Sequence, residues 1–159
     1  MSGAVGLRAP LQVVIFPFRR GVSSLEYAIF QRSGSGWWQG LAGGGDVGET
    51  PLDAARREAF EEGQVPLSAT YYKLDSVSSV PANLIAESER KHWPINMLIV
   101  PNYSFGVDCT GITIKLSHEH MAFHWVPFEL ADACLKLDNN RVALWELDQR
   151  IKRSLLDKA

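Results

Sequence analysis

Glu58, Glu61 and Glu62 stand at i, i+3 and i+4 in a stretch that reads as helix, so their carboxylates fall within an arc of about 100° on one face. Like charges at this spacing disfavour an isolated helix by roughly 0.2–0.5 kcal/mol per pair. A chain that gathers three of them is better explained by a cation held between them. An all-oxygen donor set selects a hard ion, Mg²⁺ first and Mn²⁺ second. Ala54, Ala55 and Ala59 lie beside this face, and their small side chains let the helix approach a sheet or a ligand closely.

The helix that must carry these groups is the best marked in the chain. Thr50-Pro51-Leu52-Asp53 supplies an N-cap, a proline at the first helical position and an acid three residues after the cap. The helix should run to about Glu62, with Gly63 able to end it. Before it, Leu11 to Phe18 and Leu25 to Gln31 are apolar, β-branched runs joined by turn material at 19–24, and together they predict a hairpin of buried strands. Ser33 to Gly48, with the triplet Gly43-Gly44-Gly45, reads as a structured loop with a short strand around Trp38 to Leu41. After the helix, Tyr71 to Val80 and Ile95 to Phe105 read as strands, with Ala86 to His92 as the loop between them. Ile112 to Lys115 and Met121 to Val126 are shorter strand candidates. Pro127 to Leu135 fits a short helix, and Asn139 or Asn140 could cap a last one carrying Leu144, Leu147, Ile151 and Leu155. Strands interspersed with a few helices predict an α/β layered sandwich with a mixed sheet.

At 159 residues and 46% hydrophobic content, one globular domain over 1–159 is expected. A net charge of −2 and a pI near 6.1 provide no broad basic field for nucleic acid or an anionic membrane, so a phosphate-bearing ligand must be held locally. Cys109 and Cys134 lack metal or redox spacing and read as idle thiols. Met1 to Pro10 has no basic stretch followed by an apolar run, and no segment approaches the roughly 20 apolar residues of a membrane helix, so a cytoplasmic protein is the expectation.

Gly43 to Val65, GGGDVGETPLDAARREAFEEGQV, resembles the Nudix box G-x5-E-x7-R-E-U-x-E-E-x-G-U, where U is a bulky aliphatic residue. Gly43, Glu49, Arg57, Glu58, Glu61 and Glu62 occupy their required positions; at ordinary residue usage six such matches arise by chance with odds on the order of one in 10⁵. Ala59 replaces the larger aliphatic, and Gln64 stands where the pattern has glycine. The resemblance implies a Nudix-type α/β/α sandwich and an enzyme that hydrolyses a diphosphate linkage with Mg²⁺ or Mn²⁺. It implies that Glu58, Glu61 and Glu62 bind metal together with the backbone near the first glycines, at Ala42. Glu49 would pair with or orient Arg57, and Gly43 and Gly44 would let the backbone approach metal and phosphate. The general base could be Glu58 or Glu119.

Trp38-Gln39-Gly40, Gln31-Arg32, Glu119 to Trp125 and Asn140-Arg141 are further similar to the dihydroneopterin triphosphate/dATP pyrophosphohydrolase branch, in which the residue matching Glu119 completes the metal site. A small nucleotide-like diphosphate is the implied partner, cleaved with release of pyrophosphate by a monomer or homodimer. Pro81 keeps ADP-ribose or another nucleoside diphosphate derivative open as an alternative, as is a non-catalytic nucleotide-binding module. Arg32 and Arg20 are candidates for phosphate contacts. Trp38, and Trp37 beside it, could stack on a heterocycle or pack in the core. His118, His120 and His124 alternate as strand residues do, but lack a fourth ligand at zinc spacing, and read as surface or pocket residues.

Overall fold

A computed structural model describes residues 6–159; residues 1–5, part of the N-terminal segment read above, lie outside the described residues. The element order is β1 (Arg8–Arg20), β2 (Leu25–Arg32), β3 (Trp38–Gln39), β4 (Leu41–Asp46), α1 (Pro51–Gly63), β5 (Tyr71–Pro81), a 3-10 turn (Ala82–Leu84), α2 (Glu87–Arg90), β6 (Ile99–Asp108), β7 (His120–Val126), α3 (Phe128–Cys134) and α4 (Asp138–Lys152). The seven strands form one mixed sheet in the order β3-β2-β1-β6-β5, with β4 also paired to β1 and β7 to β2. β1 is the organising strand. It runs antiparallel to β2 and β4 and parallel to β6, with Val13 opposite both Gly43 and Tyr103.

Period-two alternation along β1 divides the core. Val13 and Ile15 face α1 and pack with Ala54, Ala55, Ala59, Phe105 and Val107. Val14, Phe16 and Phe18 face the opposite layer and pack with Ala131, Ala143, Leu144 and Leu147. Helices on both faces of a mixed sheet make the expected α/β/α sandwich.

Several boundaries differ from the sequence reading, each for a local reason. The glycine triplet is not loop: it lies in β4, whose ladder to β1 supplies backbone bonds that glycine propensity cannot signal. Ile112 to Lys115 is not a strand, because Lys115 N–H donates to Gly63 O at 3.0 Å and ties this segment to the end of α1. β6 begins at Ile99 rather than Ile95, and one helical turn, α2, interrupts the 86–92 loop. Leu137, not Asn139 or Asn140, occupies the α4 N-cap, and Leu155 lies beyond that helix and is exposed. Asn140 instead turns inward, where its Oδ1 accepts from Gly40 N–H at 2.9 Å.

α4 is fixed to the sheet by both polar and apolar contacts. Where β5 breaks register between Lys73 and Val77, Glu146 accepts the freed N–H groups of Asp75 and Ser76 at 2.7 and 2.8 Å. Leu147 is fully buried over Gly106, where an added Cβ would come within 2.5 Å of Leu147 Cδ1. Leu147→Ala opens a void here that the sheet cannot fill. It is expected to cost about 2–5 kcal/mol in urea unfolding.

Candidate active site

α1 starts and stops by recognisable local chemistry. Thr50 and Asp53 form a reciprocal capping box, and Pro51 lies at the first helical position. At the other end Gln64 takes the left-handed conformation at φ 54°, so the departure from glycine leaves the terminating geometry intact. The helix therefore holds its register against β4. Its three glutamates share a face but not an environment: Glu62 is 1% exposed, Glu58 is half-buried and Glu61 is exposed.

The Glu58 carboxyl occupies the space above Gly43. A Cβ at that position would lie 2.1 Å from Glu58 Cδ, so only glycine allows strand and carboxyl to meet. Beside it, both Glu62 oxygens are buried with no hydrogen-bond partner of normal geometry, although the Glu58 carboxyl and the Ala42 amide face them. Burial foremost, then the neighbouring Glu58 and the more distant Glu119 charge, pushes the Glu62 carboxyl well above the ordinary range. Glu58 also rises, chiefly through burial, with Arg57 acting against the shift. The two carboxyls form a pair that favours retaining a proton until a cation replaces it.

Arg57 ties the site together. Its Nε and Nη2 donate to the two oxygens of Glu49 at 2.9 and 3.0 Å, and Nη2 also donates to Gly44 O at 2.8 Å. Nη1 reaches Glu58 at 3.0 Å and Glu61 at 3.3 Å. Glu49 accepts the Asp46 N–H as well, and its pKa is lowered, first by the Arg57 hydrogen bond. The Glu49–Arg57 pairing read from the motif is thus present as a bidentate contact.

Among the described residues no three His, Cys, Asp or Glu side chains are already arranged as a metal cage. The donor chemistry nevertheless fits a hard divalent ion. Glu62 offers two unpartnered buried oxygens, Glu58 lies against the glycine strand, and Glu61 needs only to leave Arg57. Glu119 is exposed in the turn just before β7, close enough for its charge to act on Glu62.

The remaining expected residues divide. Arg32 is opposite His120 across β2 and β7, and its charge helps burial depress the His120 pKa. Trp38 packs with the α3/α4 core and lies 5.3 Å from the His124 ring, so it is a packing residue here, while Trp37 is exposed. Arg20 ends β1 seven positions beyond Val13, the partner of Gly43, or roughly 23 Å along the strand. The structure does not bring it to the carboxylates. His118 and His124 are exposed, but His120 is not a surface residue: its ring is buried against Phe30, and its Nε2 lies 3.7 Å from Glu62 Oε1. Cys109 and Cys134 are free thiols. No helix among the described residues is long and apolar enough to cross a membrane. Arg8 had no sequence signal at all; its guanidinium lies against Gly44.

The glycine strand, the arginine-bound glutamate and the buried carboxylate pair on a capped helix define a class of hydrolase site built around one βα unit. The NUDIX domain model matches residues 10–146, and the chain belongs to the Nudix family as one of its hydrolases. A Listeria monocytogenes protein described as a Nudix hydrolase is 32% identical, with a TM-score of 0.82 over 94% of this chain and 99% of that one. The E. coli dihydroneopterin triphosphate pyrophosphohydrolase is 20% identical, with a TM-score of 0.69 over 90% and 99%. A C. elegans Ap4A hydrolase is 18% identical, with a TM-score of 0.67 over 90% and 98%. The last two show the shared fold. No curated protein sequence matches.

Proposed function

We propose that this hydrolase cleaves a phosphoanhydride in a nucleoside triphosphate or dihydroneopterin triphosphate and releases pyrophosphate. The observation that carries this reading is Glu62: a buried carboxyl with two unpartnered oxygens, beside Glu58 and below the glycine strand. Glu58, Glu61 and Glu62, with Glu119 and the Ala42 backbone, would hold Mg²⁺, with Mn²⁺ as a substitute. Such an ion supplies charge neutralisation for the diphosphate and acidification of the attacking water. Arg57, fixed by Glu49, keeps Glu58 and Glu61 oriented. Gly43 and Gly44 allow close approach of the diphosphate, and Arg32 lies near Glu119 on the same edge.

A cavity of about 190 Å³ lies on the α4 face of the sheet, across β4 from the Glu58 carboxyl, and would take the organic group of a substrate that passes the free edge of β4. It is lined by Val14, Ser76, Ser78, Asn102 and Asn139, and Val14 is the cross-strand partner of Ala42. Purified protein with Mg²⁺ is offered dihydroneopterin triphosphate, dNTPs and ADP-ribose, and products are identified by mass. Pyrophosphate and a monophosphate are expected from a triphosphate. Turnover of ADP-ribose alone, or of nothing, would overturn the assignment.

A further inference from the structure

We propose that Arg8 is a phosphate-binding residue for the uncapped end of the substrate. The Arg8 side chain is 12% exposed, and its Nη1 contacts Glu89 Oε1 at 3.1 Å. Its Nε and Nη2 are buried and have no acceptor among the described residues. These two N–H groups form the side-on edge of the guanidinium, the fork that binds two oxygens of one phosphate at once. A buried fork without an acceptor is unfavourable, and an oxyanion removes that penalty.

Its position identifies the oxyanion. A Cβ at Gly44 would lie 1.9 Å from Arg8 Nε, so the fork rests directly on this glycine. Gly44 is also the residue whose carbonyl Arg57 holds, and its neighbour Gly43 receives Glu58. Successive strand residues turn to opposite faces, so the fork lies across β4 from the Glu58 carboxyl, one residue along a strand that pairs only with β1 among the described residues. A polyphosphate lying along the free edge of β4 meets both faces, and its free terminal phosphate presents the oxygens to fill the fork. The segment from Ile85 to Trp93 lies beside Arg8, and His92 Nε2 and Trp93 Nε1 are each 2.8 Å from the Arg8 carbonyl. Those bonds fix the Arg8 backbone, not its guanidinium. Among the described residues the guanidinium is held by Glu89 alone, a half-exposed carboxylate whose ion pair is weak, so the side chain can turn toward an anion.

This inference rests on the polyphosphate reading above, and the test separates the two. Inorganic pyrophosphate is titrated calorimetrically into the full-length protein and its Arg8→Ala, Arg8→Lys and Glu89→Ala variants, with and without Mg²⁺. Arg8→Ala is expected to weaken pyrophosphate binding by about ten- to hundredfold and to raise KM for a triphosphate similarly, a larger change than in kcat. Arg8→Lys should recover only part of the affinity, and Glu89→Ala should bind pyrophosphate as tightly as wild type, since it leaves the fork intact. If Arg8→Ala does not fold, Arg8→Lys carries the measurement: wild-type pyrophosphate affinity in a folded Arg8→Lys or Arg8→Ala variant overturns the proposal. Arg8-dependent pyrophosphate binding without turnover of any substrate would instead overturn the proposed function and leave this site standing.

Discussion

Glu62→Gln is expected to lower kcat/KM by at least about 10²–10³-fold while raising the thermal midpoint of the metal-free protein. The two effects have one origin. The Glu62 carboxyl is buried without a hydrogen-bond partner of normal geometry among the described residues and placed beside Glu58, an arrangement that favours a cation and costs stability without one. Glutamine removes the charge and the need for a retained proton. The pH dependence follows. In the metal-free protein the folded pKa of Glu62 is raised, so the folded state holds a proton that the unfolded chain releases above its ordinary value of 4.5. The associated stability is full below that value and is lost as pH rises toward the folded pKa. Thermal scans in EDTA should therefore show wild type losing stability with rising pH more steeply than Glu62→Gln. Added Mg²⁺ should restore wild type and leave the variant little changed. A variant that turns over substrate at the wild-type rate would remove Glu62 from the metal set.

Arg57→Ala should be the second most damaging change, with activity lower by about 10- to 100-fold and weaker Mn²⁺ binding in titrations followed by electron paramagnetic resonance. Arg57 bonds Glu49 in a fork, holds the Gly44 carbonyl and draws Glu58 and Glu61 to one side, so its loss frees all of them together. Glu49 gives this variant the opposite pH signature. Its pKa is lowered, so its contribution to stability is present above 4.5 and disappears as pH falls through the lowered value. Wild type and Arg57→Ala should thus differ in thermal midpoint at neutral pH and converge in acid. Arg57→Lys keeps the charge but not the planar fork, and is expected to fall between them. A constant difference across pH would mean that Arg57 acts by packing rather than through Glu49.

The helix at the centre of the site was legible because its signals are local: a cap, a proline and carboxylates at fixed spacing act within a few residues of one another. The opening hairpin was legible for the same reason, as two apolar runs around a turn. Features determined by distant partners were not. The glycine triplet is a strand only because β1 lies beside it, and Ile112 to Lys115 loses its strand character to the end of α1. His120 shows the same limit within the site. Alternation along β7 says that it shares a face with His118 and His124, but not that the chain turns its ring into the space next to Glu62. Arg8 carries no motif, and what distinguishes it is the absence of a side chain at Gly44, thirty-six positions later. Gln64 is the converse case: its departure from the pattern had no structural consequence, because its backbone adopts the left-handed turn without glycine.

The parallel pairing of β1 with β6 bears on how the molecule is made. Gln12 to Phe18 find their partners at Asn102 to Asp108, and Phe105 and Val107 complete the core on which α1 rests. A nascent chain that has just emerged through Val65 contains every residue of the motif, yet lacks the strand that closes the sheet beneath it. The acidic helix must wait for some forty further residues of synthesis, exposed and self-repelling, before its platform exists.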